Sequence, residues 1–199
     1  MRGWLHEPES PTGEGLVITH GAGSNCESPL VRAVAEAFAG AGFYVLRCDL
    51  PYRQLRAKGP PFPGMAARDR EGLRRAMEAM REIAAGRVIL GGHSYGGRQA
   101  TLLAAEEQGL ADALLLLSYP LHPPRKPEQL RTGHFSQLRT PALFVHGTRD
   151  PFGSIEEMRE ALRAIPAVNK VVEAEKLGHE LSPAIAPAIL REAECFGNA

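Results

Sequence analysis

Short apolar runs alternate with helical patterns along the whole chain. Most of these runs are apolar without interruption, which is typical of strands that helices cover on both faces. Six runs predict strands, at residues 16–18, 43–46, 88–90, 113–117, 142–145 and 170–172.

Apolar residues at helical spacing fill the stretches between and after these runs. They predict five helices, at residues 31–38, 73–84, 100–104, 155–165 and 183–189. Ser154 and Glu157 have the spacing of a capping box at the start of the fourth helix. The alternation predicts an α/β fold with a mainly parallel sheet of about six strands and helices on both faces. Functional groups of such sheets gather in loops beyond the carboxyl ends of the strands.

Two segments fall outside this alternation. Residues 49–64 form a proline-rich stretch that we interpret as a loop, and residues 119–140 begin with prolines and continue as a polar, basic stretch. Both follow predicted strands, so we expect them to roof a shallow pocket at the functional edge of the sheet. Neither is long enough for a separate domain, which predicts a single domain over residues 1–199 without a cap domain.

Composition and charge exclude several classes of protein. The 199 residues carry 23 basic and 23 acidic side chains, so no net charge favours nucleic acid or an anionic membrane as partner. The N-terminus has no apolar region of the kind found in signal peptides, and no apolar run approaches the ~18 residues of a membrane span. Cys26, Cys48 and Cys195 match neither a disulfide framework nor a zinc site. We therefore expect a cytoplasmic protein.

The strongest chemical signal is the G-x-S-x-G pattern at residues 92–96. It lies between the predicted strand at 88–90 and the predicted helix at 100–104. This is the context of a nucleophile elbow, a sharp turn that exposes a serine hydroxyl, and it makes Ser94 the candidate nucleophile. The alternative is a glycine-rich turn that contains an ordinary serine.

A serine hydroxyl needs a base to take its proton and an acid to orient that base. In this type of fold the chain order is serine, acid, histidine. Asp150 follows the predicted strand at 142–145, and His179 follows the next one, so they are the candidate acid and base. Asp112 is the weaker acid candidate because it lies at the opposite end of its strand. His146 is interpreted as a supporting or core histidine.

Backbone N–H groups are expected to stabilise the negative charge of a reacting carbonyl oxygen. The Tyr95 amide directly follows the candidate nucleophile. The second donor is expected from the glycine-rich loop after the first predicted strand, where Ala22 is our choice and Gly23 the alternative. This loop lacks the spacing of a nucleotide-binding motif. The seven histidines lack metal-binding spacing, so we predict no metal and no cofactor.

Several stretches together resemble one family. They are His20–Gly23, Arg47–Tyr52, Gly91–Arg98, Ser118–Pro124 and His146–Gly153. They resemble the small α/β-hydrolases grouped with the testis-expressed and NSL-complex hydrolase-like proteins, whose bacterial members are described as dienelactone-hydrolase-like. The resemblance runs from about residue 14 to the end of the chain. It implies the compact α/β-hydrolase fold, the catalytic residues Ser94, Asp150 and His179, and no cofactor.

The chain departs from this family in two places. Gly178 stands where an acidic residue often precedes the last histidine, and His93 and Tyr95 flank the serine where lysine and methionine are frequent. Neither difference removes a candidate catalytic group, but both are expected to alter the pocket. Candidate substrate-binding residues are Gly23, Tyr52, Arg53, His93, Arg98, His122 and Arg125. For each charged member, the alternative is a solvated surface charge.

The leading hypothesis is a serine hydrolase that cleaves a small ester or related acyl compound. One alternative is a thioesterase, a peptidase or a perhydrolase that uses the same three residues. Another is a binding or scaffold protein that keeps the fold without turnover, since fold alone does not establish activity. The sequence carries no prediction of oligomeric state.

Overall fold

The computed structural model describes residues 2–197 and contains one seven-stranded sheet. In chain order, the strands are β1 Gly3–His6, β2 Gly15–Thr19, β3 Tyr44–Cys48, β4 Val88–His93, β5 Ala113–Leu117, β6 Ala142–Gly147 and β7 Asn169–Ala174. Their spatial order is β1-β3-β2-β4-β5-β6-β7. Strand β1 pairs antiparallel with β3, and every other pair is parallel. The predicted, mainly parallel α/β sheet is confirmed.

All six predicted strands are present, but the sheet has one strand more. The additional strand β1 lies at the sheet edge and its residues are largely exposed. It therefore has no buried apolar run that a sequence pattern could reveal.

Six α-helices accompany the sheet within the described residues. They are α1 Pro29–Gly40, α2 Pro51–Leu55, α3 Met65–Arg81, α4 Tyr95–Glu106, α5 Ile155–Leu162 and α6 Ala186–Gly197. The predicted capping box of Ser154 and Glu157 is present at the start of α5. Pro183 begins a short 3₁₀ turn, and α6 starts three residues later than predicted.

The short helix α2 corrects the interpretation of residues 49–64 as a loop throughout. Pro51 occupies its first position, where a fixed φ favours the helix and the missing N–H costs nothing. Asp69 on α3 accepts a hydrogen bond from the Tyr52 N–H at 3.0 Å, so α2 is anchored on the neighbouring helix.

Each face of the sheet packs against its own layer of helices. Alternate residues of a strand point to opposite faces, so Val17 lies in one apolar cluster while Leu16 and Ile18 lie in the other. The first cluster includes Met77 of α3 and residues of α4 and α5, and the second includes Val34 of α1 and residues of α6. This double coverage explains why most of the predicted strand runs are apolar without interruption.

The parallel strands bring distant segments to one edge of the sheet. The loop after β2, the turn after β4 and the loops after β6 and β7 all begin at carboxyl ends of parallel strands. Ser94, Asp150 and His179 lie on three of these connections. Among residues 2–197, no helix has both the length and the apolar content needed to cross a bilayer.

Candidate active site

Ser94 occupies a sharp turn between β4 and α4. Its φ of 51° and ψ of −115° are unusual for a residue with a side chain, and its N–H donates to the Leu117 carbonyl at 2.8 Å. The neighbouring glycines permit this turn. A Cβ on Gly92 would lie 2.5 Å from the Gly96 carbonyl carbon, and one on Gly96 would lie 2.6 Å from the His20 carbonyl oxygen. Any larger residue at either position would force the turn apart.

The structure brings Ser94, His179 and Asp150 into one hydrogen-bonded chain. The Ser94 hydroxyl oxygen lies 2.7 Å from His179 Nε2. His179 Nδ1 lies 2.8 Å from Asp150 Oδ2 and 3.0 Å from Oδ1. These three side chains come from different connections of the sheet, so the fold alone assembles them.

Neighbouring groups fix both the carboxylate and the imidazole of this chain. The Phe152 N–H donates to Asp150 Oδ1 at 2.9 Å. The Phe152 ring covers the His179 ring, with centroids 4.1 Å apart at an interplanar angle of 32°. His93 Nε2 donates to the His179 carbonyl oxygen at 2.9 Å. The candidate base His179 is therefore held through its ring and its backbone.

The weaker acid candidate and the supporting histidine lie where the sequence analysis expected them. Asp112 accepts a hydrogen bond from the Val88 N–H at 2.7 Å at the start of β4, away from Ser94. His146 is fully buried, and its Nε2 lies 2.8 Å from the Gly153 carbonyl oxygen and 3.7 Å from Asp150 Oδ2. It supports the loop that carries Asp150.

The loop after β2 presents unused amide groups beside Ser94. Within residues 2–197, neither the Ala22 N–H nor the Gly23 N–H donates a hydrogen bond, and the same holds for the Tyr95 N–H at the start of α4. A Cβ on Gly21 would lie 3.4 Å from Ser94 Cβ, so the loop passes close to the serine. Both candidate loop donors thus remain available to a bound oxyanion.

A cavity of about 460 Å³ opens over these groups. It is lined by Gly21, Ala22, Gly23, Ser24, His93, Ser94, Phe152, His179 and Glu180. Residues 49–64 and 119–140 do not contribute to this lining, which corrects the prediction that they roof the pocket. Glu180 is the one carboxylate in the lining, and no lysine or arginine is part of it.

Tyr52 and Arg53 were expected to bind substrate, but both side chains are buried beneath the loop after β2. The exposed fraction is 0% for Tyr52 and 2% for Arg53. The Arg53 guanidinium donates to four backbone carbonyls, those of Ala22, Ser24, Arg56 and Gly59. With its donors engaged in this way, it is not available to a substrate carboxylate.

Three further candidates also lie outside the cavity lining. Arg98 lies on α4, and its buried Nε has no hydrogen-bond partner within the described chain. His122 is buried, with Nδ1 2.8 Å from the Pro123 carbonyl oxygen and Nε2 3.4 Å from Glu157. Arg125 is exposed on the polar segment after β5. Of the predicted substrate-binding residues, Gly23 and His93 alone line the cavity.

Sequence reasoning missed three residues of the site. Phe152 and Glu180 line the cavity, and Asp69 joins the Tyr52 N–H to the Tyr95 hydroxyl, which donates to its Oδ2 at 2.8 Å. Phe152 lies in the stretch His146–Gly153 that carries the family resemblance, but no role was assigned to it, and no motif marks Asp69. Glu180 directly follows the candidate base, and its position next to His179 was the available signal.

Burial sets the protonation of several groups near the site. It lowers the pKa of His20 to about 4 and also lowers the pKa of His93, so both rings are neutral at pH 7. Burial raises the pKa of Tyr52 to about 12 and raises the pKa of the Asp69 carboxyl. Among residues 2–197, no cluster of three or more side chains could hold a metal ion.

Comparisons with known proteins agree with this architecture. The protein TT1662 from Thermus thermophilus is 24% identical, with a TM-score of 0.76 and 100% of both chains covered. A dienelactone hydrolase from Anabaena variabilis is 24% identical, with a TM-score of 0.74 over 98% of this chain and 88% of that chain. An α/β serine hydrolase without lid from Xanthomonas campestris is 17% identical, with a TM-score of 0.71 over 95% of this chain and 87% of that chain.

At such identities these similarities show a shared fold. A family model described as an alpha/beta hydrolase domain matches residues 12–192. Since this match spans most of the sequence, the chain belongs to the α/β hydrolase domain family.

Proposed function

We propose that this protein is a serine hydrolase that cleaves a small carboxylic ester through an acyl-enzyme on Ser94. The observation that carries the proposal is the hydrogen-bonded chain from Ser94 Oγ through the His179 ring to Asp150, with distances of 2.7 and 2.8 Å. The Asp150 carboxylate keeps the imidazole proton on Nδ1. The lone pair on Nε2 is then free to accept the serine proton.

The first half-reaction forms the acyl-enzyme. Ser94 Oγ bonds to the ester carbonyl carbon as its proton passes to His179 Nε2, and the carbonyl electron pair moves onto the oxygen. The Asp150 carboxylate stabilises the imidazolium that results. When the tetrahedral intermediate collapses, the bond to the alkoxy group breaks and His179 returns the proton to the leaving alcohol.

The oxyanion of this intermediate requires donors that are already in position. The amides of Tyr95 and Ala22 are suited to this role because neither has another acceptor within the described chain. Removal of one such donor in an enzyme lowers kcat roughly 10²–10³-fold. Gly23 offers a further unused N–H in the same loop.

The second half-reaction releases the acid. A water molecule gives a proton to His179 Nε2 and attacks the acyl carbon, and the Ser94–acyl bond then breaks as the proton returns to Ser94 Oγ. The cavity of about 460 Å³ opens over the serine, so water and a small acyl group can reach it.

The chemistry of the lining narrows the substrate. Glu180 places a carboxylate in a cavity whose other members are small residues, histidines, serines and one phenylalanine. An ester without a negative charge fits this lining better than one that carries a carboxylate.

The family motifs and the fold shared with a dienelactone hydrolase support a place in the dienelactone-hydrolase-like branch. The free thiols of Cys26, Cys48 and Cys195 fit a cytoplasmic location.

Hydrolysis of p-nitrophenyl acetate by the purified full chain tests this function. We expect Ser94→Ala to reduce kcat to the background rate, while Ser136→Ala, at an exposed serine outside the site, keeps the native value. The proposal fails if Ser94→Ala hydrolyses the ester as fast as the native protein does.

A further inference from the structure

We propose that Tyr52 and Arg53 of α2 are positioning residues that aim the amide donors of the loop at residues 21–24 at the reacting oxygen. The inference extends the proposed function, because it concerns the same oxyanion donors. It assigns a role to a short helix that the cavity lining leaves unexplained.

The carbonyl groups of this loop are held from below by side chains. The Tyr52 hydroxyl lies 2.8 Å from the Ala22 carbonyl oxygen and 3.1 Å from the Gly21 carbonyl oxygen. Arg53 Nη2 donates to the same Ala22 oxygen at 3.0 Å, and Arg53 Nε donates to the Ser24 oxygen. His20 Nδ1 donates to the Gly21 oxygen at 2.8 Å, since its Nε2 accepts the Leu50 N–H.

Because of peptide geometry, these contacts with carbonyl groups also fix the direction of the N–H groups of the residues that follow. In a trans peptide, the C=O of one residue and the N–H of the next point in opposite directions. The Gly21 carbonyl therefore fixes the direction of the Ala22 N–H, and the Ala22 carbonyl fixes that of the Gly23 N–H. Both carbonyls face the buried side chains, so both N–H groups face away from them. This matches the absence of any acceptor for these two N–H groups within the described chain.

The surroundings of Arg53 indicate that it positions the loop through hydrogen bonds and does not serve as one partner of an ion pair. No carboxylate forms a salt bridge with this buried guanidinium within residues 2–197. A buried cation without a counterion is costly unless its donors are satisfied, and here four backbone carbonyls accept from four of its five N–H groups. The positive charge also polarises the Ala22 peptide, which strengthens the Gly23 N–H as a donor.

Asp69 connects this arrangement to the other candidate donor. Its Oδ1 accepts the Tyr52 N–H at 3.0 Å, and its Oδ2 accepts the Tyr95 hydroxyl at 2.8 Å. The Tyr52 and Tyr95 rings meet edge to face, with centroids 5.8 Å apart. The Asp69 carboxylate thus holds both Tyr95, whose N–H is a candidate oxyanion donor, and helix α2, which positions the loop donors.

Tyr52→Phe tests the proposal, because it removes the hydroxyl and keeps the ring. Tyr119→Phe is the matched control: the Tyr119 hydroxyl is also buried and donates to a backbone carbonyl, that of Arg131 at 2.7 Å, outside the cavity lining. The readouts are kcat and KM for p-nitrophenyl acetate, Tm, and the inhibition constant of a trifluoromethyl ketone. That ketone forms a tetrahedral adduct whose oxyanion needs the loop donors.

We expect Tyr52→Phe to lower kcat about 10-fold with KM within about 2-fold, since small misplacements of reacting groups cost rate rather than binding. The ketone's inhibition constant should rise by a similar factor. Tyr119→Phe should lower Tm to a comparable extent while kcat and inhibition keep native values. Arg53→Lys, which keeps the charge but cannot reach all four carbonyls, is the second variant and should lower kcat further.

Native kcat and ketone inhibition in folded Tyr52→Phe and Arg53→Lys would overturn the inference. So would equal losses of kcat in Tyr52→Phe and Tyr119→Phe, because a general loss of stability would then explain both. A native protein that hydrolyses no ester would instead contradict the proposed function itself, and the two failures are therefore distinguishable.

Discussion

His93 Nε2 donates a hydrogen bond to the backbone carbonyl of His179 at 2.9 Å, so the residue before the candidate nucleophile holds the candidate base. The two rings lie 5.5 Å apart, and His93 also lines the cavity. The turn after β4 thus positions Ser94 directly, and through His93 it also holds the loop that carries His179. His93 therefore has a structural reason to be a hydrogen-bond donor.

Replacement of His93 by phenylalanine should separate this support from simple packing. Phenylalanine keeps a planar ring but cannot donate to the His179 carbonyl. We expect kcat to fall about 10-fold because the base loses its fixed position, and the free energy of unfolding to fall by about 1 kcal/mol for one lost hydrogen bond. Ester hydrolysis and urea unfolding measure the two effects. A native kcat in the folded variant would contradict the role of His93.

Asp150→Asn should preserve the fold while it removes the charge that, in the proposed mechanism, stabilises the His179 imidazolium. The amide can also leave His179 with its proton on the wrong nitrogen, and the corresponding change in serine proteases lowers kcat about 10⁴-fold. We expect a loss of about 10³–10⁴ for this chain, measured with p-nitrophenyl acetate. Asp112→Asn is the matched control and should keep native activity. Equal effects of the two variants would show that Asp150 is not the orienting acid.

Glu180 should make the proposed hydrolase sensitive to charge on its substrate. We expect a choline ester to be preferred over the isosteric neutral 3,3-dimethylbutyl ester, and Glu180→Gln to reduce this preference about 2–5-fold, as befits an exposed ion pair. The ratio of kcat/KM values for the two esters is the measurement, and added salt should weaken the preference. Glu175→Gln, another exposed carboxylate outside the cavity of Ser94, serves as control. An unchanged ratio in Glu180→Gln would show that the Glu180 carboxylate does not influence the choice between charged and neutral esters.

Five buried or partly buried histidines should make the fold sensitive to mild acid. Burial lowers the pKa of His6, His20, His93, His134 and His146, and the values for His20 and His134 fall to about 4. Between pH 6.5 and 4 the unfolded chain binds protons that the folded chain does not. The free energy of unfolding therefore decreases as the pH falls through this window.

His134→Gln offers a direct check of this pH dependence. His134 Nε2 lies 2.8 Å from Thr101 Oγ1, away from the cavity, and glutamine can replace this contact. We expect a shallower decrease in the free energy of unfolding between pH 7 and pH 4.5, as measured by urea titration at each pH. If the native protein and the variant lose equal free energy over this range, His134 does not contribute.

The sequence pattern predicted the fully buried strands and also the edge strand β7, where Val171 and Val172 are half-buried. The strands covered on both faces have continuous apolar runs and were all found. Strand β1 was missed because Trp4 is 55% exposed and Leu5 is 41% exposed at the sheet edge. Helix α2 was missed because five residues carry too little periodicity. Its formation depends on Pro51 and on the contact with Asp69, which is distant in sequence.

The candidate site also has a part that the sequence predicts and a part that it does not. Ser94, Asp150 and His179 each follow a parallel strand, and chain order alone brought them together in the prediction. The direction of a side chain within a loop has no such signal. Arg53 was expected to face a substrate, but it points inward because the carbonyls of the loop after β2 lie there. Phe152 could not be anticipated either, since its stacking on His179 depends on the path of the loop after β6.

An activated Ser94 is tested most directly by covalent labelling with a fluorophosphonate, followed by intact mass measurement. The native protein, Ser94→Ala and His179→Ala are compared, because the probe reports an activated serine whatever the natural substrate is. We predict one adduct on the native protein, none on Ser94→Ala, and strongly slowed labelling of His179→Ala. Folded native protein that forms no adduct, or Ser94→Ala that labels at the native rate, would contradict the proposed role of Ser94 as the nucleophile.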